Sequence, residues 1–399
     1  MNWLKSTLSA VVGTEEPIYG PEAIQSVAKQ AETTPFSDVN KEILRWRAYS
    51  YTNVETQTFY IMADNGTLVF VQVIYSNIVG IHTTAQFNVK VFDVSGKGDN
   101  KWFSDPLSNF MFDESMLSFG ADNLSLTLNE EGNSYTIKST VNSGALVDIK
   151  FSQTAPGFVV GKDGTSYFGT DPKNPWGSMR HAFWPRCAVE GSITTKDQTY
   201  DLGGRGVFIM ALQGMKPHHA GKKPCTKIHK KDNQPHINKN IAARWNFINF
   251  QTPTYSAVMM EYTTPPSYGS TTVNVGGIVK DGKVIYAGTT NQVTHTETGQ
   301  DEGSDWPAPK SIKWEWSGKT TDDKELTAEV DGALGSRLDR IDVMAEVPGF
   351  IKSIAGSVAG TRPYIFQYSP QEKLSFKLKL GDEEITEEGT MFSESTFIS

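Results

Sequence analysis

The sequence predicts a mostly β chain, built as two consecutive antiparallel β-barrels behind short N-terminal helices. Three observations carry that prediction. The composition, with 35 Gly and 19 Pro beside frequent Thr, Val, Tyr and Phe, favours strands joined by turns. From Arg45 onward the apolar period is that of a strand, and it breaks once, in the polar stretch Met215 to Asn240, before restarting. The length of 399 residues suits two units, at roughly 100 to 200 residues per domain.

The elements follow in order. Trp3, Leu4, Thr7, Leu8, Val11 and Val12 fall on one helical stripe, with Asn2, Lys5, Ser6 and Ser9 opposite, and Gly13 and Pro17 supply the stop. This predicts an amphipathic docking helix within residues 1–18. A helix so short is unstable alone in water, so its apolar face needs a partner. Few charges and one Trp suit shallow insertion at a lipid interface; the rival reading is a cap on the first barrel. Pro21 to Glu32 predicts a second helix, with Ile24, Val27, Ala28 and Ala31 on one side.

The first β unit is placed at 36–214. Its strand candidates are Arg45–Tyr51, Thr56–Ala63, Thr67–Tyr75, Ala85–Val94, Asn123–Asn129, Ser134–Val141 and Ala145–Phe151, with a tight turn at Asn65-Gly66. Residues 215–242 read as a linker or insertion. The second unit, 243–399, opens with Arg244–Phe250, Tyr255–Tyr262 and a hairpin turning at Asp281-Gly282, and continues to Lys373–Leu380 and Gly389–Ile398. In Lys373–Leu380, Leu374, Phe376, Leu378 and Leu380 point one way and Ser375, Lys377 and Lys379 the other.

Composition also excludes. A net charge of −8 argues against a general nucleic-acid binder, which needs a basic face. Two cysteines, Cys187 and Cys225, are too few for a disulfide framework and point to a reducing compartment. No run of about 18 apolar residues occurs, and Lys5, Ser6 and Ser9 interrupt the N-terminal stretch that resembles a signal sequence. Residence in the cytosol is the expectation.

Candidate chemistry is sparse. His218, His219, Cys225, His229 and His236 lack zinc spacing and read as a solvated basic loop, so neither metal nor other cofactor is expected. Gly203-Gly204-Arg205-Gly206 lacks the strand-to-helix context of a phosphate loop. The run Ser178 to Arg186 sets Arg180, His181, Trp184 and Arg186 together, either around a polar headgroup or as a hydrogen-bonded barrel corner. Aromatics such as Trp46, Tyr49, Trp184, Trp245 and Phe247 either line an apolar cavity or fill the core. With His181, these five form the candidate lipid-binding set; no catalytic residue is assigned. Phe350, Ile351, Ile354 and Val358 share one helical face and read as a lid, a second membrane contact or a buried connection.

Met1 to Gly13 with Glu16-Pro-Ile-Tyr-Gly-Pro21 resembles the opening of the fungal survival-factor family. So do His181-Ala-Phe-Trp-Pro-Arg186, Lys216-Pro-His-His219, Arg244 to Gln251, Met259 to Thr264 and Thr361-Arg-Pro-Tyr364, and the likeness runs through nearly the whole chain. The resemblance implies two lipocalin-like (calycin-type) domains and ceramide as the ligand. It implies docking of the N-terminal helix through Trp3, Leu4, Leu8, Val11 and Val12. It also implies ceramide transfer from the endoplasmic reticulum to the cis-Golgi for complex sphingolipid synthesis, a role in oxidative-stress survival, and pools in cytoplasm and nucleus. Against the family pattern, Gly221 to Ile241 intervenes. Codons for Gly221-Lys222 and Ile241-Ala242 can carry GTAAG and AG at the two edges, which suggests a retained intron; transcripts that contain only the long form would exclude it.

Two rivals stand beside a non-enzymatic carrier. One is a hydratase or cyclase on a double-barrel fold, for which Glu190, Glu261 and His181 are the first acid–base candidates. The other is a stress-linked scaffold without lipid.

Overall fold

A computed structural model describes residues 18–78, 80, 82–95, 98–215, 243–264, 266–304, 306–342 and 364–398. The prediction of a nearly all-β chain holds: two antiparallel sheets, one built from Ile24 to Met215 and the other from Ala243 to Ile398, each curl over their own apolar interior. In the first sheet Thr52–Ala63, Leu68–Ile78, His82–Phe92 and Lys101–Pro106 run in succession to one edge. On the other side of Thr52–Ala63 lie Gly204–Met215, Gly177–Thr195, Ala145–Gln153, Ser134–Asn142 and Leu124–Leu128. The curl brings the flanks together, where Asn142 Nδ2 donates to both Asp105 carboxylate oxygens at 3.1 Å.

The second sheet orders Lys283–Gly288, Thr272–Lys280, Tyr255–Thr263, Ala243–Gln251, Glu383–Ile398, Leu374–Leu380, Glu325–Ala333, Pro307–Lys319 and Gln292–Gln300. Tyr286 Oη donates to the Ser317 carbonyl at 2.8 Å and ties its flanks. Alternation explains the strands with one wet face: Ala145, Val147, Ile149 and Phe151 are buried, while Leu146, Asp148 and Lys150 are exposed. The hairpin at Asp281-Gly282 has positive φ at both residues (46° and 75°), as its tight turn requires.

Two sequence expectations need correction. Arg45–Tyr51 is not a strand: Asn40 caps a helical turn, Lys41–Leu44, and the ladder begins only at Thr52. The reason is local, because the Glu55 carboxylate accepts from the Arg47 and Ala48 amides at 2.8 and 2.5 Å and removes them from strand pairing. Pro21 to Glu32 is not one helix either. A 3₁₀ turn, Pro21–Ala23, gives way to Ile24–Gln25, which pairs with Tyr167 and Phe168; only Val27–Ala31 is α-helical, restarted by the Ser26 hydroxyl accepting from Ala28 N at 3.2 Å.

Two long strands near the middle of the first sheet, Gly177–Thr195 and Gly204–Met215, were not predicted. Both bury side chains on each face, one against the barrel interior and one against the other barrel. Pro185 is tolerated at a register shift between Trp184 and Cys187.

The seam between barrels is a core in its own right. Phe158, Phe183, Val207 and Ile209 of the first meet Phe247, Val258, Val275 and Phe392 of the second. Gly277 is required here, since a Cβ would stand 2.6 Å from Phe158 Cζ. The Arg186 guanidinium closes one end of the seam, donating to the Tyr255 carbonyl at 3.0 Å and the Pro253 carbonyl at 2.6 Å.

Candidate functional site

Strand Gly177–Thr195 divides the predicted lipid-binding set. Its even positions Arg180, Ala182 and Trp184 enter the first barrel, whereas Met179, His181 and Phe183 face the seam. His181 therefore meets Trp245 (centroids 5.8 Å apart) and Tyr262 (6.4 Å), with Phe247 further along the same seam. Trp46 and Trp184 belong to the first barrel, and half-buried Tyr49 stacks on Tyr51 at 4.7 Å. The six residues form two groups on opposite faces of one sheet.

Trp184 packs as core. It lies 4.9 Å from Phe208 and 5.2 Å from Tyr135, and its Nε1 donates to the Gln153 amide oxygen at 3.0 Å when that oxygen is turned inward. The His181 ring makes no hydrogen bond among the described residues, and burial lowers its pKa to about 4, which keeps the ring neutral.

The first barrel's interior is best read in rows, because paired residues on adjacent strands share a face. Asn77, Asn53, Gly214 and Ser178 stand in register, followed inward by Tyr75, Glu55, Leu212 and Arg180. Deeper still come Val73, Gln57, Met210 and Ala182, and then Val71, Phe59, Phe208 and Trp184. The order runs from polar collar to aromatic floor. Residues 45–51 cross the collar, held by Glu55 and by Asn53 Nδ2, which donates to the Tyr49 and Tyr51 carbonyls at 2.8 and 2.5 Å.

Several polar atoms in this interior have no partner among the described residues: Trp46 Nε1, Asn53 Oδ1, and Arg180 Nε and Nη2, while Gln57 and the Tyr135 hydroxyl have only each other. All five side chains are buried. Desolvation lowers the Arg180 pKa, with Arg47 adding to that and Glu55 opposing it; desolvation likewise raises Glu55 against the two amides it accepts from. Unpaired polar groups in a low-dielectric interior cost free energy unless something else binds them.

The second barrel carries a comparable row, Asn274, Glu261, Asn246 and Ser395, but this one is internally paired. Asn274 Nδ2 and Val293 N donate to Glu261 Oε2 at 3.1 and 3.2 Å; His295 Nε2 and Ser395 Oγ donate to Asn246 Oδ1 at 2.8 and 3.1 Å. Burial, aided by Arg244, lowers the His295 pKa to about 4. Sequence reasoning missed His295 and Asn246, whose only signal was a buried polar position in an otherwise apolar alternation.

The acid–base trio does not assemble. Glu190 is exposed on the outside of the first barrel, Glu261 lies inside the second, and His181 sits in the seam. Surface clefts of about 500, 450 and 510 Å³ elsewhere on the barrels include none of the six lipid-binding candidates in their lining. Among the described residues no cluster of His, Cys, Asp or Glu could hold a metal ion, and no helix is long and apolar enough to cross a membrane. Trp3, Leu4, Leu8, Val11, Val12, the histidine-rich linker and residues 347–360 lie outside the described residues.

Fold and chambers together define a double-barrel protein of lipocalin-like, calycin type. Its backbone is similar to that of CghA, solved with Sch210972 (TM-score 0.52, 11% identity, 87% of this chain and 89% of that one). It is similar also to kievitone hydratase from Nectria haematococca (TM-score 0.51, 13% identity, 96% and 98%). At such identities the likeness establishes architecture alone. The particular family is fixed by sequence: the model of the Svf1 family matches residues 1–224 and 233–399, and the chain belongs to that family. Relatives named ceramide-binding protein Svf1 are 71% identical in Emericella nidulans, with complete coverage of both chains, and 41% identical in Schizosaccharomyces pombe, covering 100% of this chain and 99% of the relative. The Neurospora crassa relative is 55% identical, covering 100% and 99%.

Proposed function

We propose that this protein binds ceramide and carries it from the endoplasmic reticulum to the cis-Golgi, without catalysing a reaction, in support of complex sphingolipid synthesis and survival of oxidative stress. It works from cytoplasmic and nuclear pools and docks transiently on membranes through residues 1–18. The observation that carries the reading is the first barrel's interior, where buried donors and acceptors without partners stand above an aromatic floor. A ceramide offers the complement: one amide, two hydroxyls and no net charge. Relatives that bear the ceramide-binding name along their full length support the same ligand.

A hydratase or cyclase would place its acid and base around one substrate, and Glu190, Glu261 and His181 occupy three separate surroundings. The test is lipid extraction and mass spectrometry on the intact chain. Copurifying ceramide is the expected outcome. A turned-over product would point to an enzyme, and a lipid-free protein that takes up none from vesicles would end the carrier proposal.

A further inference from the structure

Both barrels have an inward polar row, so the family relationship leaves open which interior receives the ligand. The distribution of unpaired polar atoms separates them. Among the described residues the first barrel's interior leaves Trp46 Nε1, Asn53 Oδ1 and two Arg180 nitrogens unpaired, and Gln57 is bonded only to the Tyr135 hydroxyl. The second barrel has Trp314 Nε1 and Ser393 Oγ, and the seam Asn249 Nδ2, since the Tyr262 hydroxyl bonds Ser166. The Glu261 row, by contrast, has its carboxylate, amides and imidazole engaged with one another. A core that serves only to fold satisfies or avoids such groups, so a concentration of them marks a place where another molecule completes the bonding.

We propose that the first barrel holds the polar end of the lipid, with Gln57, Tyr135 and Arg180 as its recognition residues. This rests on the carrier reading and names the site within it. Gln57 suits an amide because it offers an acceptor and a donor side by side, the reciprocal of a lipid amide N–H and C=O. Arg180 Nε and Nη2 supply two parallel donors to a carbonyl or hydroxyl oxygen one row nearer the opening. Tyr135 lies across the barrel against Phe59, its hydroxyl bonded to the Gln57 side chain, a bond that a ligand hydroxyl would share or replace. Glu55, raised by burial and already accepting two backbone amides, keeps Arg180 from standing as an isolated charge. A diol-amide headgroup fits this set better than a diester, which brings no amide N–H.

The full-length protein is incubated with phosphatidylcholine vesicles that contain long-chain ceramide, re-isolated, and its bound ceramide measured. Gln57→Leu and Arg180→Met are each expected to retain about tenfold less than wild type, the loss of one good hydrogen bond to a buried group. Ser393→Ala and Glu261→Gln, in the second barrel, stay within about twofold. Vesicles that contain diacylglycerol instead load the wild type at least about tenfold less well. Thermal melting supplies the readout that a structural role would not give: without ligand, Gln57→Leu melts close to wild type, because it breaks only one neutral hydrogen bond, to Tyr135, and puts an apolar side chain in a buried site. Should Arg180→Met fail to fold, Tyr135→Phe removes a single hydroxyl and is expected to weaken loading several-fold. Normal loading of Gln57→Leu and Tyr135→Phe, or a loss confined to the second-barrel variants, overturns the assignment while leaving ceramide binding intact; that outcome also follows if the unpaired atoms hold only water. No uptake by the wild type overturns both.

Discussion

Glu394 shows how a single side chain ties stability to pH. It faces the seam, half-buried, where Gln367 Nε2 donates to Oε1 at 2.7 Å and Tyr60 Oη to Oε2 at 3.3 Å. Desolvation raises its pKa above the ordinary 4.5, and the Gln367 bond, Lys90 and Tyr60 only partly oppose this. Between the ordinary value and the raised one, the folded protein keeps a proton that the unfolded chain has lost. The contribution of Glu394 to folded stability must therefore fall as pH rises through that window and level off above it. Glu394→Gln keeps the shape and an oxygen to accept from Gln367, its NH2 donating to the Tyr60 hydroxyl instead of accepting from it, but cannot ionise. It is expected to raise the thermal midpoint at pH 7 and to flatten its decline from about pH 4.5 upward, measured by calorimetry across pH. A variant as pH-sensitive as wild type would show that the carboxyl is ionised in the fold at little cost.

At the scale of elements, legibility followed wetness. Leu124–Leu128, Ala145–Gln153 and Leu374–Leu380 were readable because one face meets water, so polarity alternates along them. Gly177–Thr195 has no such signal: His181 and Phe183 face the seam while Ala182 and Trp184 face the interior, and every one of them is buried. The same burial on both faces hid the chamber. Asn53, Glu55 and Gln57 look like the wet face of a strand, but they are the inward one, because the alternating Thr56, Thr58 and Tyr60 face the other barrel. Trp46 and Tyr49 were identified by residue type, although the strand assigned to them is a loop pinned by Glu55. The N-terminal element has the clearest pattern of all and can be tested by itself. The first sheet begins at Ile24, so Leu8→Asp and Trp3→Ala leave its pairing untouched. On the proposed interfacial helix each would remove roughly 1.5–3 kcal/mol of apolar burial, and Lys5 is the one basic side chain of residues 1–18 that would attract anionic lipid. Both variants are expected to lose flotation with phosphatidylcholine vesicles while their circular dichroism melts match wild type; equal flotation of all three proteins would refute docking through residues 1–18.

For the whole molecule the seam decides whether two barrels behave as two bodies. Its apolar core draws on both sheets, and Arg186 donates across it to the Tyr255 and Pro253 carbonyls. Within it Lys90 is completely buried, its ammonium paired with Asp339, donating to Gln367 Oε1 at 2.7 Å and lying 4.9 Å from the Phe92 ring centroid. Lys90 and Phe92 belong to the first barrel; Asp339 and Gln367 belong to the second. An apolar seam of this kind, with a buried ion pair inside it, couples the unfolding of the two sheets. Urea unfolding of the wild type is therefore expected to give one transition, coincident by tryptophan fluorescence and by circular dichroism. Lys90→Met leaves Asp339 and the Gln367–Glu394 pair without their cation, at a cost of about 1–3 kcal/mol, because Asp339 stays partly in water. Because the loss falls on the seam, it should move the single midpoint down or split it into two, and the first-barrel loading of ceramide should survive wherever that barrel remains folded. A Lys90→Met protein with an unshifted single transition would mean that the barrels are held together by apolar contact alone, with the ion pair contributing no net stability.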